Sequence, residues 1–277
     1  MYSLKNFVSV KWLKNRLDDG NVVPVDCRFD LQDPDKGYRE YKESHIPGAV
    51  YADLEKDLSG EVREHGGRHP LPDLDTFVRF LGSLGIDGTK TVVVYDAQNS
   101  AMAARLWWML NYLGHEKVYV LDGGYPEWLK RDFPVTEEIP VVDEVVFEPA
   151  IQKELAADIT EVQSKTKNHP NTLLIDARGE ERYLGRTEPI DKKAGHIPSA
   201  VNHFFMENLN QGKWKSQVEL KERFQHYQDK EIINYCGSGV TACVNVLALD
   251  EIGKKSRLYV GSWSDWSSYD DNEVETE

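Results

Sequence analysis

The chain has 277 residues, 40% of them hydrophobic and 29% charged, with a formal net charge of −14. This suggests about two ordinary globular domains, and the acidic balance argues against non-specific binding to nucleic acid or a membrane surface. No apolar run approaches the ~20 residues that span a bilayer, and the first residues lack the apolar core of a secretory signal. Three cysteines, Cys27, Cys236 and Cys243, are too few for a disulfide framework, so a reducing cytoplasm is the expected compartment.

In chain order, Ser9 reads as the cap of a helix over residues 11–17, followed by a short strand over 21–25. Residues 74–84 predict a helix, Thr91–Tyr95 a continuous apolar strand, 101–113 a helix and 117–121 another strand. Residues 137–149, with two prolines and no helical period, are the expected linker. Helix and strand signals then alternate again: a helix over 158–165, strand Thr172–Asp176, a helix over 218–225, strand Glu231–Tyr235, a helix over 241–252 and a strand over 257–260. The acidic tail, 270–277, is expected to fray.

The second alternation is a copy of the first. At an offset of about 140 to 150 residues, Val25-Asp26-Cys27-Arg28 answers Ile175-Asp176-Ala177-Arg178. His45-Ile46-Pro47 answers His196-Ile197-Pro198, and Val93-Val94-Tyr95-Asp96 answers Ile233-Asn234-Tyr235-Cys236. Near each end, Gly123-Gly-Tyr-Pro-Glu-Trp128 answers Gly261-Ser-Trp-Ser-Asp-Trp266. Collinear matches of this kind indicate one domain, duplicated and fused. Strands separated by helices imply parallel sheets covered on both faces, with ligands outside the carboxyl ends of the strands.

Cys236 opens a loop with Gly237 and Gly239 that leads into a helix start. Backbone N–H groups and the positive end of the helix dipole there stabilise a negative sulfur. On the loop alone, a buried and inert cysteine is an equally open reading. The duplicate supplies a control. The first copy has Asp96 at this position, a far poorer sulfur acceptor than a thiolate, followed by Ala97-Gln-Asn-Ser-Ala-Met without the glycines that let amides converge. The first copy is expected to be silent and Cys236 to carry the chemistry.

With these residues in view, the chain resembles the tandem rhodanese-type sulfurtransferases, which include thiosulfate and 3-mercaptopyruvate sulfurtransferases. The likeness rests on the two His-Ile-Pro segments, Asp122-Gly-Gly-Tyr-Pro-Glu-Trp128 and Cys236-Gly-Ser-Gly-Val-Thr241, and covers nearly the whole chain. It implies an α/β protein of two tandem rhodanese-like domains, each a mainly parallel sheet flanked by helices. Residues 1–140 would form the domain without a catalytic cysteine and 150–277 the catalytic one. The implied activity moves sulfane sulfur from a small anionic donor, through a Cys236 persulfide, to a thiol such as thioredoxin or a small thiol, or to cyanide. Gly237-Ser238 resembles the mercaptopyruvate branch, whereas thiosulfate enzymes typically carry Arg and Lys there. Thiosulfate:cyanide transfer and a non-catalytic sulfur-binding or sensing module are the competing readings. No cofactor, nucleic acid or membrane is implied.

By the same resemblance, the backbone of Gly237, Ser238, Gly239, Val240 and Thr241 cradles the sulfur. Ser238 would relay a proton with His69 and an acid, which falls on Glu55 where the family pattern usually has Asp; the first domain would lend both. Taken alone, His65 and His69 are loop histidines. Arg182 matches the arginine that holds the substrate carboxylate, a task suited to its planar fork. A second arginine expected some nine residues on is replaced by Asp191, leaving Arg186, Lys192 or Lys193 as substitutes. His45 and His196 occur even in the silent copy and are expected to be structural. Cys27 and Cys243 are expected to be buried, and Trp107, Trp108, Trp128 and Trp266 to be packing residues. The cysteine spacing is not a zinc pattern, and no phosphate-binding glycine fingerprint is present. Cysteine-dependent phosphatases share this fold but need an arginine six positions after the cysteine, where this chain has Ala242.

Overall fold

Ser9 caps the first helix as its sequence predicts, its side chain accepting from the N–H of Trp12 at 3.1 Å. The computed structural model describes residues 5–166, 171–227 and 229–277. In it β1 (Phe7–Ser9) leads directly into α1 (Val10–Lys14). The helix stops three residues short of the expected end. Only Val10 and Leu13 of this segment are fully buried and beyond them Leu17 packs on the core only in part, so little rewards a further turn.

The first copy continues with β2 (Val22–Asp26), α2 (Lys36–Glu43), β3 (Val50–Tyr51), α3 (Leu74–Ser83), β4 (Thr91–Tyr95), α4 (Ala101–Tyr112), β5 (Val118–Asp122) and α5 (Gly124–Lys130). The second supplies β6 (Ala156–Ala157), α6 (Ile159–Thr166), β7 (Thr172–Asp176), α7 (Glu180–Tyr183) and β8 (Val201–Asn202). After the short strands β9 (Leu209–Asn210) and β10 (Lys213–Trp214) come α8 (Gln217–Arg223), β11 (Glu231–Tyr235), α9 (Ala242–Glu251), β12 (Arg257–Tyr259) and α10 (Ser262–Trp266). Residues 137–149 carry no helix or strand, as the two prolines suggest.

Each copy builds a five-stranded parallel sheet, in the orders β1-β5-β4-β2-β3 and β6-β12-β11-β7-β8. These orders are the same once corresponding strands are matched. The central strands β4 and β11 are buried through their last four residues, which is why they read as continuous apolar runs rather than alternating ones.

The repeated motifs have structural causes that recur in both copies. Arg28 folds back on Asp26 and Arg178 on Asp176, each guanidinium donating to both carboxylate oxygens, the shortest contacts being 2.7 and 2.6 Å. In the His-Ile-Pro segments the N–H groups of Ile46 and Ile197 donate to the hydroxyls of Tyr95 and Tyr235. His45 Nδ1 lies 2.6 Å from the Tyr41 carbonyl and His196 Nδ1 lies 2.7 Å from that of Tyr183. Both histidines are thus structural. Trp107, Trp108, Trp128 and Trp266 are all buried, as are Cys27 and Cys243.

The tail does not fray as expected. His196 and Glu275 exchange backbone hydrogen bonds, and Glu275 Oε2 also accepts from the N–H of Ser199. Backbone pairing outweighs the acidic composition of this segment.

Compactness does not follow the repeat boundary strictly. One unit gathers the described parts of Met1–Gly60 and Leu71–Gln152 with Gln211–Trp214, and the other Glu61–Pro70, Lys153–Asn210 and Lys215–Glu277. Residues 61–70, from the first copy, therefore belong to the unit that contains Cys236.

Candidate active site

Cys236 follows the last residue of β11, and the loop it opens runs into α9. At the start of α9 the N–H groups of Cys243 and Val244 donate to the carbonyls of Val240 and Thr241, each at 3.1 Å. Cys236 itself is 2% exposed. Its N–H donates to Ser262 Oγ at 3.1 Å and its carbonyl accepts from Trp263 N–H at 3.0 Å. Ser262 adopts φ +55, a left-handed conformation that costs a non-glycine residue roughly 1–2 kcal/mol. The hydroxyl contact to Cys236 and a second to the Tyr259 carbonyl hold it there. Gly239 takes φ +75 within the loop, while Thr241, at the N-cap of α9, already has helical dihedrals. Val240 is buried, and its carbonyl accepts the N–H of Cys243.

The segment 61–70 is fastened to the same unit at several points. The His65 ring stacks on Tyr269, with centroids 3.9 Å apart, and its Nδ1 meets Ser268 Oγ at 2.7 Å. Gly66 N–H donates to Asp265 Oδ1 and Arg68 N–H to Ser264 Oγ. Gly67 has φ +86, and a Cβ there would stand 2.4 Å from the Gly261 carbonyl oxygen, so no other residue fits. This anchorage sets His69 Nδ1 at 2.7 Å from Ser238 Oγ, with both side chains buried. The two residues are brought together within one compact unit, rather than His69 being lent by the other. Glu55 belongs to the first unit, on the turn after β3, with an exposed side chain.

Two guanidiniums lie over the loop. A Cβ on Gly237 would meet Arg68 Nη2 at 3.0 Å and Arg182 Nη1 at 3.5 Å. Asp191 bridges them, accepting from Arg68 Nη1 on one oxygen and from Arg182 Nη2 at 3.0 Å on the other. Arg182 also forks onto Glu188, and Glu188 is shared with Arg178, which closes on Asp176. Burial would raise the Glu188 carboxyl, but Arg182 and two backbone N–H donors outweigh it and hold it below its ordinary range. Burial pushes Asp191 up, against the opposing pull of Arg68. Arg186 is 47% exposed and pairs with Glu181 and Glu277. Lys193 donates to the carbonyls of Tyr269, Asp270 and Asn272.

Arg68 was not among the sequence candidates. The only signal was its place between Gly66-Gly67, which permit a close backbone approach, and His69. Ser262, Ser264 and Asp265, which hold the loop and the segment, carried no sequence signal of that role.

The first copy shows what fills this loop when cysteine is absent. The Asp96 carboxylate accepts from the N–H groups of Gln98, Ser100, Met102 and Ala103, at 2.9 to 3.0 Å. Lack of glycine was expected to keep these amides apart. They converge nonetheless, because Asn99 and Ser100 themselves take positive φ, +58 and +62. The aspartate is a built-in anion that saturates its own loop.

This combination of a tandem parallel α/β fold and a cysteine-led loop joining β11 to α9 defines a class. The rhodanese-like domain family matches the chain over residues 9–131 and 158–269. A probable 3-mercaptopyruvate sulfurtransferase of Pseudomonas aeruginosa is 40% identical over 95% of this chain and 95% of its own. The 3-mercaptopyruvate sulfurtransferase of Escherichia coli K12 is 36% identical over 97% of both, and a thiosulfate sulfurtransferase of Cricetulus griseus 36% identical over 94% of this chain and 91% of its own. Among solved structures, SseA of Escherichia coli, described as a 3-mercaptopyruvate sulfotransferase, superposes with a TM-score of 0.83 at 35% identity, covering 93% of this chain and 98% of that one. The chain belongs to the rhodanese-like family, as a tandem-domain sulfurtransferase.

Proposed function

We propose that the protein transfers sulfur from 3-mercaptopyruvate to a thiol acceptor through a persulfide on Cys236, with residues 150–277 as the catalytic domain and 1–140 catalytically silent. The observation that carries the choice of donor is the 2.7 Å contact between Ser238 Oγ and His69 Nδ1 in the Cys236 loop. Mercaptopyruvate brings a thiol proton that must leave and a carbon that must gain one, whereas thiosulfate needs no proton moved. A hydroxyl–imidazole pair suits the first donor. The names of the relatives from Pseudomonas aeruginosa and Escherichia coli support the same reading.

In the first half-reaction the Cys236 thiolate attacks the donor sulfur, forming the S–S bond. The carbon–sulfur bond breaks with its electron pair on carbon, as the enolate of pyruvate. Ser238 and His69 take the proton of the donor thiol and return one to that carbon. Arg182 holds the donor carboxylate, and the amides of Gly237, Gly239, Val240 and Thr241 cradle the negative sulfur. In the second half-reaction a thiol, such as thioredoxin or a small thiol, or cyanide removes the outer sulfur and regenerates the thiolate. One covalent carrier serving two substrates predicts ping-pong kinetics. Three cysteines, too few for a disulfide framework, favour a reducing compartment, and the cytoplasm is the proposed one. Among the described residues no helix is long and apolar enough to cross a membrane.

The test is sulfur transfer by purified wild type and Cys236→Ser, with circular dichroism to check the fold. The variant is expected to fold and to be inactive; wild-type turnover would overturn the proposal. Comparing kcat/KM for mercaptopyruvate and thiosulfate decides the donor, and a strong thiosulfate preference would reverse the choice.

A further inference from the structure

The ion pairs above Gly237 form an unbroken alternating chain, Arg68–Asp191–Arg182–Glu188–Arg178–Asp176. Three cations and three anions balance. The inner members are almost fully withdrawn from water, with the side chains of Asp191, Glu188, Arg178 and Asp176 at 4%, 3%, 2% and 0% exposure. Only the two guanidiniums nearest the cysteine loop keep appreciable solvent access, 31% for Arg68 and 22% for Arg182. The donor site is therefore already neutralised by the protein's own carboxylates. Asp191 does the neutralising where the two exposed forks meet.

We propose that Asp191 is a resident anion that an incoming carboxylate must displace from Arg68 and Arg182, and that Arg68 is the second guanidinium of the donor site. This rests on the donor reading above. Its physical basis is exchange. A carboxylate that enters between the two forks replaces charge-assisted hydrogen bonds that Asp191 gives up, so the gain on binding is a difference between two similar sets of contacts. A single carboxylate leaves the site one charge more negative. A dianion leaves it two charges more negative beside a negative sulfur, in a site where burial weakens screening. Asp191 thus both weakens donor binding and biases the site towards singly charged donors. Glu188 cannot serve in this way, because Arg178 and the N–H groups of Ile190 and Asp191 also hold it.

Asp191→Asn and Arg68→Gln test the proposal. In Asp191→Asn, KM for mercaptopyruvate is expected to fall about threefold or more, and the ratio of kcat/KM for thiosulfate over mercaptopyruvate to rise about tenfold. In Arg68→Gln, KM for mercaptopyruvate is expected to rise about tenfold with kcat within about twofold, and Arg68→Lys to recover part of the loss. A readout free of sulfur transfer is the rate of Cys236 alkylation by iodoacetate, an anionic carboxylate, relative to neutral iodoacetamide. That ratio is expected to rise in Asp191→Asn and fall in Arg68→Gln. Unchanged KM and unchanged alkylation ratios in both variants would overturn the proposal. A wild type that transfers no sulfur from mercaptopyruvate, but whose alkylation ratio responds to both variants, would overturn the donor reading and leave the anion exchange standing.

Discussion

His69 Nδ1 and Ser238 Oγ lie 2.7 Å apart, joining a residue of the first sequence copy to the loop of the second. The contact exists because Gly66 and Gly67 let the 61–70 segment settle onto the Gly261 backbone. If the pair moves protons during transfer, its loss falls on turnover. His69→Gln is expected to lower kcat for mercaptopyruvate about a hundredfold, and Ser238→Ala by a similar factor, with little change in KM. The double variant should be scarcely slower than either single one, since the residues act as a unit. Steady-state kinetics check this, and additive losses would show that the two act separately.

Asp96 serves the fold of the first copy. Asp96→Ala leaves four N–H donors, three of them buried, without their acceptor, at roughly 1–3 kcal/mol for each that water cannot reach. The expected loss in chemical denaturation is on the order of 3 kcal/mol or more, while kcat of the folded fraction stays within about twofold. A stable variant would mean that water takes over the aspartate's role.

His203 gives the protein an acid-sensitive element. Burial, reinforced by Arg223, pushes its imidazole down to about 4. The unfolded chain protonates near pH ~6.5, so this contribution is complete above that value and is lost as pH falls from about 6.5 to about 4. Allowing for residual solvent, on the order of 1 kcal/mol should vanish between about pH 7 and pH 5. Denaturation at both pH values should show a smaller difference in His203→Gln than in wild type.

Asp176 anchors the buried end of the ion-pair chain. Asp176→Asn leaves the Arg178 guanidinium without its bidentate partner and is expected to cost about 3–5 kcal/mol, measured by chemical denaturation. Asp26→Asn should cost a similar amount through Arg28, since the same pairing recurs in the first copy.

Much of this was legible in the chain because it depends on short-range pattern. β4, β7 and β11 fall where their apolar runs begin and end. The duplication was visible because Asp-x-Arg and His-Ile-Pro each close a local hydrogen-bonded unit. The short α2 and α5 were not anticipated: α2 buries only Gly37 and Tyr41, and α5 opens on a double glycine with a proline inside. The tail was misread because its ordering comes from backbone pairing with His196, which composition does not encode.

The sequence alone determined the fold class, the duplication and the position of the cysteine-led loop between β11 and α9, because these are fixed by residue type at fixed spacing. It could not determine which cations lie over Gly237. Arg68 and Asp191 are 123 residues apart; in sequence Arg68 reads as an ordinary surface charge and Asp191 as the loss of an expected arginine. Only folding packs residues 61–70 beside the Cys236 loop, where burial turns Asp191 from a missing arginine into the anion between two guanidiniums.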